Sequence, residues 1–278
     1  MIGRRPRREL AGRVAIVTGA SSGLGRELAL ALADAGMCLA LAARSAEPLH
    51  AVAEECRSRG ASVEAVQTDV TDDAACAALC ARTVETFGGI DGVVACAGLG
   101  MWARLADIAD IEVLRRVMAV NYWGVVQPTR HALPHLRARE GFLVAISSVQ
   151  GCVGVPWHTG YAAAKHAVQG FCDSLRLEES PALDVTTVLA HWLRGTDLRA
   201  RALGADGRPR ASAAARHGGD AIAAKDAARC IIAAITARRR TLWIPRYMRA
   251  LGVLAELAPT LADRLIRKRV QAEHVRDV

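Results

Sequence analysis

Short apolar runs alternate with longer segments rich in alanine and leucine along most of this chain. The apolar runs have the length of buried strands and occupy 13–18, 37–43, 62–67, 91–96, 142–147, 184–190 and 241–245. The segments of helical length between them occupy 23–35, 47–59, 72–87, 107–138, 160–180 and 224–238. Fully apolar strands separated by helices are typical of a parallel sheet covered on both faces. The alternation therefore predicts an α/β fold, a doubly wound parallel sheet of the Rossmann type, in a single domain over residues 1–245.

Two stretches fall outside this alternation. Residues 197–220 show no clear period, which predicts a mobile loop or short helices. Residues 246–278 form a predicted C-terminal helical extension that Pro259 divides into two helices. An apolar stripe runs along this extension at a spacing of three to four residues: Tyr247, Leu251, Leu254, Ala258, Leu261 and Leu265.

Composition and charge narrow the choice of partners. The length of 278 residues and the hydrophobic content of 52% are enough for one large domain with a substantial core. The formal net charge of +8 raises nucleic acid and an anionic membrane surface as alternatives. A basic cluster at Arg4, Arg5, Arg7 and Arg8 has no interleaved aromatic residue that would stack on bases. We therefore expect a small-molecule substrate and no nucleic acid.

A second basic cluster flanks the apolar stripe of the extension, at Arg264, Arg267, Lys268 and Arg269. A helix with one apolar face and a basic flank can lie on a membrane surface. We favour the interpretation that the extension packs on its own domain or on a partner subunit. Peripheral membrane contact is the alternative.

The cysteine pattern bears on the compartment of the protein. Several of the eight cysteines stand among apolar neighbours inside predicted helices and strands. Cys76 and Cys80 are four residues apart, but no second pair completes a zinc site, so no metal is expected. Small buried thiols are typical of a reducing compartment. No secretory signal and no apolar run long enough to span a bilayer is recognised, so a cytoplasmic location is expected.

The turn after the first strand carries the residues that a dinucleotide site needs. The sequence there is Thr18-Gly19-Ala20-Ser21-Ser22-Gly23-Leu24-Gly25. Glycines between a strand and a helix let the backbone approach a pyrophosphate, and the helix start offers amide groups and a positive dipole end. We therefore predict cofactor contacts from Gly19, Ser21, Ser22, Gly23, Leu24 and Gly25.

The ends of the second and third strands bear on which cofactor binds. Arg44 and Ser45 stand where an acidic residue would hold the ribose hydroxyls of NAD. A guanidinium and a hydroxyl are instead suited to a 2′-phosphate, which favours NADP(H) over NAD(H). At the third strand, Asp69 and Val70 are predicted beside the adenine. Asp69 has a second interpretation as the cap of the helix that starts near Thr71.

Four residues form the predicted catalytic group. Ser148 ends the fifth strand, Asn121 lies in the long helix before it, and Tyr161 and Lys165 share one helix face. Tyr161 is the predicted acid–base group, because a nearby ammonium and the positive nicotinamide favour its phenolate. We expect Ser148 to bond the reacting oxygen, Lys165 to hold the nicotinamide ribose and lower the pKa of Tyr161, and Asn121 to position a relay water.

These motifs resemble those of the short-chain dehydrogenase/reductase family. The motifs that carry the resemblance are Thr18-Gly19-x3-Gly23-x-Gly25, Asp69, Asn121, Ser148 and Tyr161-x3-Lys165. The resemblance implies an NAD(P)-dependent oxidoreductase with Tyr161 and Lys165 at the cofactor. The Ala-Arg-Ser ending of the second strand is similar to NADP-preferring members, including hydroxysteroid dehydrogenases. The family also implies a homodimer or homotetramer built on helices 107–138 and 160–180.

The chain departs from the family pattern at two strand ends. Ala95-Cys96-Ala97-Gly98 stands where the family has Asn-Asn-Ala-Gly, and Ala190-His191 stands where it has Pro-Gly. Ala97 and Gly98 keep the close backbone approach and are expected at the cofactor, and Thr196 is expected near the carboxamide. We expect these departures to change the geometry around the nicotinamide and to leave the reaction class unchanged.

The predicted substrate pocket is mostly apolar and rich in large aromatic side chains. Besides the 197–220 loop, its expected lining is Gly100, Met101, Trp102, Gln150, Cys152, Val155, Trp157, His158, His191 and Trp192. Such a lining favours a lipid-like, steroid-like or aromatic alcohol or ketone over a small acid. The tryptophans have an alternative interpretation as core or subunit contacts. A protein that keeps the fold for regulation without turnover is the alternative function.

Overall fold

The computed structural model describes residues 5–209 and 221–274. In these ranges the strands, in chain order, are β1 (Val14–Thr18), β2 (Cys38–Ala43), β3 (Val63–Gln67), β4 (Gly92–Ala95), β5 (Phe142–Ser148), β6 (Asp184–Ala190), β7 (Leu193–Arg194), β8 (Ile222–Ala223) and β9 (Thr241–Ile244). Seven of these described strands form one parallel sheet in the order β3-β2-β1-β4-β5-β6-β9. The predicted doubly wound sheet is confirmed, and each of its strands falls on a predicted apolar run.

The helices of the same ranges cover both faces of this sheet. In chain order they are α1 (Gly23–Asp34), α2 (Ala46–Ser58), α3 (Asp73–Phe87), α4 (Glu112–Met118), α5 (Gly124–Ala138), α6 (Thr159–Glu178), α7 (Ala224–Thr236), α8 (Met248–Leu257) and α9 (Pro259–His274). The helix predicted over 107–138 begins only at Glu112, and a π-helical turn, Ala119–Trp123, joins α4 to α5. The parallel pair β7–β8 was not predicted, because two-residue strands carry no readable period.

Side chains that alternate along each strand build two cores. Ala15 and Val17 of β1 pack with α1, α2 and α7, whereas Ile16 packs on the opposite face with α3, α5 and α6. A strand buried on both faces has no solvent side, which explains the continuous apolar runs of the sequence. The two cores hold the carboxyl ends of all seven sheet strands at one edge. At that edge the winding direction reverses between β1 and β4, and this reversal opens a crevice.

An ion-pair cluster anchors the amino-terminal segment to the opposite edge of the sheet. The guanidinium of Arg8 has no exposed surface and donates to Asp184 and to the backbone carbonyl groups of Glu140 and Gly141. Asp184, the first residue of β6, also pairs with Arg5 and Arg238. The basic cluster at the start of the sequence therefore contributes two arginines to the fold, while Arg4 lies outside the described residues.

The C-terminal extension forms two helices that pack on the domain. Ala258 separates α8 from α9, as expected from Pro259. Met248 of α8 is buried against Val149 and Val153, which follow β5. The described part of the 197–220 loop runs back past the loop after β4, with a bridge between Met101 and Leu203, and residues 210–220 lie outside the described ranges. Among the helices described, none has the length and hydropathy required to cross a bilayer.

Candidate active site

The glycines of the β1–α1 turn are required by close backbone contact. Gly19 has a φ of +67°, and a Cβ at this position would lie 2.9 Å from the backbone nitrogen of Ala97. A Cβ on Gly25 would collide with the carbonyl oxygen of Gly19. Ser22 precedes α1 and makes no side-chain capping bond, so the first amide groups of the helix are available to an anion. The turn therefore fits the pyrophosphate of a dinucleotide.

The hydroxyl of Thr18 joins the end of β1 to the segment after β4. Thr18 is fully buried, and its Oγ1 accepts hydrogen bonds from the backbone nitrogens of Cys96, at 3.1 Å, and Ala97, at 3.2 Å. These bonds use backbone groups, so the replacement of the family asparagine by Cys96 leaves them intact. Burial raises the pKa of the Cys96 thiol to about 12, which keeps it protonated at neutral pH.

The end of β2 places Arg44 and Ser45 on the same cleft as the glycine turn. The amide nitrogen of Gln67 donates to the carbonyl oxygen of Arg44 at 2.8 Å and fixes the backbone there. Within residues 5–209 and 221–274, no carboxylate forms an ion pair with the exposed Arg44 side chain. Its guanidinium is thus available for an anionic group of a ligand.

Asp69 and Val70 also line this end of the cleft. Oδ1 of Asp69 accepts from the backbone nitrogen of Thr71 at 2.9 Å and from its hydroxyl at 2.8 Å. The cap of α3 is Asp72, which accepts from the nitrogen of Ala74 at 2.9 Å. The interpretation of Asp69 as the helix cap is therefore wrong, because the helix begins later, at Asp73.

Asn121 lies in the π-helical turn and holds the loop that follows β4. Its Nδ2 donates to the carbonyl oxygens of Leu99, at 2.7 Å, and Val117, at 2.9 Å, and its Oδ1 accepts from the Leu99 nitrogen at 3.3 Å. The sequence placed Asn121 in a regular helix and missed this contact. Both amide hydrogens are engaged, so the predicted water relay would have to use an acceptor atom of this residue.

Ser148 and Tyr161 meet at the carboxyl edge of the sheet. Oγ of Ser148 accepts from the backbone nitrogen of Gln150 at 3.1 Å, and both Ser148 and Tyr161 line the cleft. Burial raises the pKa of Tyr161 to about 12, although Ser148 acts in the opposite direction. Removal of the phenolate from water is the larger effect, and the expectation that Lys165 lowers this pKa stays a prediction.

Lys165 is buried one turn beyond Tyr161 on α6. Its Nζ donates to the carbonyl oxygen of Ile146 at 2.9 Å and lies 5.6 Å from the centre of the Tyr161 ring. Burial lowers the pKa of Lys165 to about 8. The ammonium is therefore close to the point at which it loses a proton at neutral pH.

One cleft of about 890 Å³ contains the predicted cofactor and catalytic residues, a volume ordinary for a ligand site. Members of the predicted substrate lining that reach it are Gly100, Trp102, Gln150, Val155, His158, His191 and Trp192. Three others lie elsewhere: Met101 packs in the core beside Tyr161, Cys152 packs among the residues under α8 and α9, and Trp157 lines a separate depression behind Trp102. Within the ranges that the structure describes, no cluster of His, Cys, Asp and Glu is suited to a metal ion.

The C-terminal helices supply a wall of the cleft that sequence reasoning missed. Residues of α8 and α9 that line the substrate end include Met248, Leu251, Leu265 and Ile266. The apolar stripe of this extension was recognised, but a stripe does not say which surface it covers. Leu198 and Arg199 belong to the 197–220 loop that the sequence predicted at the pocket, and both line the cleft.

A family model described as short chain dehydrogenase matches residues 13–203. The chain belongs to the short-chain dehydrogenase/reductase family. An 11-beta-hydroxysteroid dehydrogenase of Pinus massoniana is 35% identical over 200 residues, which are 72% of this chain and 56% of that protein. Dehydrogenase/reductase SDR family member 7B of Mus musculus is 33% identical over 276 residues, 97% of this chain and 84% of that protein. The chain thus spans little more than half the length of the plant relatives it matches.

Solved structures agree with this family assignment. A short chain dehydrogenase/reductase from Burkholderia phymatum in complex with NAD is 27% identical and has a TM-score of 0.79, covering 91% of this chain and 96% of that one. An alcohol dehydrogenase from Thermococcus sibiricus complexed with 5-hydroxy-NADP is 25% identical, with a TM-score of 0.71 over 83% of this chain and 95% of that one. The predicted family and fold are confirmed.

Lys165→Met tests the burial of the ammonium. The pKa of Lys165 falls from 10.5 to about 8 on folding. Between these pH values the unfolded chain binds more protons than the folded chain. Burial of Lys165 therefore destabilises the folded protein fully below pH 8, and this destabilisation is lost as the pH rises. The variant lacks this effect. Its free energy of unfolding relative to wild type should therefore fall by about 2 kcal/mol between pH 7 and pH 10, as measured by urea denaturation.

Tyr161→Phe is the control for this measurement. The raised pKa of Tyr161 affects stability only above the ordinary pKa of a tyrosine, about 10. The difference in the free energy of unfolding between Tyr161→Phe and wild type should therefore stay constant from pH 7 to pH 9. If the difference in the free energy of unfolding between Lys165→Met and wild type is equally independent of pH, Lys165 is solvated.

Proposed function

We propose that this chain is an NADP(H)-dependent oxidoreductase that interconverts a secondary alcohol and a ketone on an apolar substrate, with Tyr161 as the acid–base group. One observation carries the proposal: Ser148, Tyr161 and the buried Lys165 line the same cleft as the glycine turn after β1. A nicotinamide cofactor, when bound there, exchanges a hydride with the substrate carbon.

The protonation states of the chain suit reduction of a ketone. A phenol whose pKa is about 12 carries its proton at neutral pH, so Tyr161 can donate it to the carbonyl oxygen. The hydroxyl of Ser148 can hold that oxygen. The pKa of Lys165, about 8, lets its Nζ supply a proton beside the phenol. Alcohol oxidation needs the phenolate, which the positive charge of the oxidised nicotinamide would favour.

Preference for NADP(H) rests on Arg44. Its guanidinium stands at the end of β2 with no carboxylate partner in residues 5–209 and 221–274, and Ser45 adds a hydroxyl beside it. The related structures leave the choice open, since one is complexed with 5-hydroxy-NADP and another with NAD. A bidentate contact between Arg44 and the 2′-phosphate would make the protein prefer NADP(H) over NAD(H).

A lipid-like, steroid-like or aromatic substrate fits the substrate end of the cleft. Its walls are formed by apolar side chains such as Val153, Met248 and Leu251 and by the ring of Trp102. The relatives named as 11-beta-hydroxysteroid dehydrogenases support a steroid-like alcohol or ketone.

We also propose a homodimer or homotetramer in the cytoplasm. Leu177 on α6 has 77% of its surface exposed, and Trp123, which precedes α5, is also exposed; both suit a subunit interface on these helices. All eight cysteines are unpaired, which suits a reducing compartment. The alternative is that α8 and α9 contact a membrane through exposed apolar residues such as Leu257.

Tyr161→Phe should lower the rate of NADPH oxidation with an accepted ketone by about 100-fold or more, the usual contribution of a positioned acid–base group. NADPH binding, followed by fluorescence titration, should change by less than about threefold, since a hydroxyl on the substrate side is lost. The measurement is a screen of apolar ketones with wild type and variant. Equal rates for the two proteins would remove Tyr161 from the chemistry, and NADPH binding without any turnover would favour the regulatory alternative.

Arg44→Asp should move cofactor preference towards NADH. Loss of a charge-assisted contact and repulsion of the 2′-phosphate should raise the Kd for NADPH by about 10- to 100-fold. The Kd for NADH should change much less. Arg229→Asp, on the exposed face of α7, is the matched control and should leave both constants unchanged. An unaltered ratio in Arg44→Asp would show that Arg44 does not read the phosphate.

Leu177→Glu should dissociate the oligomer, because a carboxylate would be buried at the subunit interface. Sedimentation equilibrium measures the mass, and Leu257→Glu on α8, where 81% of the side chain is exposed, is the matched control. A wild-type monomer would refute the assembly. If wild type pellets with anionic vesicles and Leu257→Glu pellets less, the membrane alternative is supported. Fractionation of cells that carry the tagged full chain tests the cytoplasmic location.

A further inference from the structure

His158 stands immediately before α6, three residues ahead of Tyr161, and lines the cleft. Its exposed fraction is 5%. Its ring centre lies 6.4 Å from that of Tyr161 and 4.8 Å from that of Trp102. The reaction at Tyr161 does not use this side chain. His158 is thus a polar ring at the substrate end of the cleft without a part in the chemistry.

The hydrogen bond of His158 fixes which ring nitrogen carries the hydrogen. Nδ1 lies 2.8 Å from the carbonyl oxygen of Pro156, and because a carbonyl oxygen can only accept, Nδ1 is the donor. Burial lowers the pKa of His158 below its ordinary value of 6.5, so the ring is neutral at neutral pH. Nε2 is then a hydrogen-bond acceptor. None of the residues that the structure describes donates to it.

A strained turn holds this ring in place. The backbone nitrogen of His158 donates to the carbonyl oxygen of Val155 at 3.2 Å, which closes a tight turn. Trp157, the third residue of the turn, has a φ of +65°, a conformation that glycine usually supplies. The nitrogen of Ala103 donates to the carbonyl oxygen of Trp157 at 2.9 Å and ties the turn to the segment after β4. Strain that is held by surrounding contacts in this way is common at ligand sites.

A second acceptor lies close to the reacting groups. Gln150 lines the cleft two residues after Ser148, and its backbone nitrogen donates to the Ser148 hydroxyl at 3.1 Å. Its side-chain oxygen Oε1 is buried and has no hydrogen-bond partner in the part of the chain that the structure describes. A buried carbonyl group without a partner is costly, and at a cleft it indicates a donor on the ligand. His158 and Gln150 thus both offer acceptors to a molecule held at Tyr161.

We propose that Nε2 of His158 accepts a hydrogen bond from a hydroxyl group of the substrate, so that the substrate class is an apolar hydroxy ketone or the diol formed from it. The inference rests on the oxidoreductase function proposed above and names its substrate class. Because the rings of His158 and Tyr161 are close, the hydroxyl lies on a carbon near the reacting one, as in an α-hydroxy ketone. This hydroxyl is not consumed. Hydride from the cofactor and the proton of Tyr161 add to the ketone carbonyl group, which becomes the second hydroxyl of the diol.

An acceptor at this position discriminates against other substrate groups. A second carbonyl group or an ether has no hydrogen to donate, and a carboxylate would bring its negative charge to the lone pair of Nε2. A ketone without a further polar group would leave Nε2 of His158 and Oε1 of Gln150 buried without partners. A hydroxyl group supplies the missing donor and adds no charge to a chamber whose walls include the apolar side chains of Val153, Met248 and Leu251.

Matched pairs of ketones test the inference. Benzoin is compared with deoxybenzoin, and deoxycorticosterone with progesterone. In each pair only the first compound has a hydroxyl group on the carbon next to the ketone that is followed, which in the steroids is the side-chain ketone. The quantity measured is kcat/KM for NADPH-dependent reduction of that ketone. Wild type should prefer the hydroxy ketone of each pair by about 10-fold or more, because its analogue leaves a buried acceptor unpaired.

His158→Phe keeps a flat ring and removes the acceptor. It should lower kcat/KM for the two hydroxy ketones by about 10- to 100-fold and change the values for their analogues by less than about threefold. His158→Gln, whose amide oxygen can accept, should recover part of the preference. His166→Phe is the matched control. His166 lies on the same helix and its Nδ1 also bonds a backbone carbonyl oxygen, that of Ala162, but it does not line the cleft, so this variant should behave as wild type.

Three results would overturn the inference while the oxidoreductase function stands. In the first, wild type reduces each hydroxy ketone and its analogue equally well. In the second, His158→Phe lowers both values in parallel, as expected if the ring only supports the turn before α6. In the third, Gln150→Met abolishes the preference and His158→Phe keeps it, which assigns the hydroxyl to Gln150.

Binding measurements decide the hydroxyl site if neither pair of ketones is turned over. Calorimetry then compares the affinities of wild type for benzoin and deoxybenzoin in the presence of NADPH. Tighter binding of benzoin that is lost in His158→Phe would support the inference, and equal affinities in wild type would refute it. Absence of turnover with every ketone of the apolar screen would instead contradict the oxidoreductase proposal.

Discussion

The site depends on one hydroxyl that ties two strand ends together. Thr18, without exposed surface, accepts backbone hydrogen bonds from Cys96 and Ala97. β1 and β4 are neighbours in the sheet, but the chain leaves them towards opposite faces, so their ends would otherwise diverge. With the two ends joined, the glycine turn packs directly on Ala97 and the crevice acquires a fixed floor. The nucleotide half and the catalytic half of the cleft are both built on this junction.

Burial sets the acid–base properties of the catalytic half. Tyr161 and Lys165 have both been removed from water, which disfavours the charged form of each and moves their pKa values in opposite directions, to about 12 and about 8. The phenol keeps its proton while the amine approaches its own titration point. A charged ligand that enters the cleft acts strongly on groups in this medium.

The sequence predicts those parts of the molecule that depend on local pattern. The strands were predicted because both of their faces are apolar, and the positions of Ser148, Tyr161 and Lys165 followed from strand ends and helical spacing. The bond from Asn121 to Leu99, the raised pKa of Tyr161 and the wall made by Met248 and Leu251 could not be predicted. Each depends on which distant segments meet, and neither periodicity nor spacing contains that information. Asp69 was ambiguous for a similar reason, because a cap depends on the exact residue at which the helix begins.

The packing of α8 and α9 on the cleft gives the substrate end a wall that lies far along the chain from the catalytic residues. The family model ends at residue 203, whereas the helices that close the substrate end begin at Met248. Mutation in this tail reshapes the pocket wall without touching Thr18, Ser148, Tyr161 or Lys165. The shape of this wall can therefore change through the tail while the reacting groups at Tyr161 keep their positions.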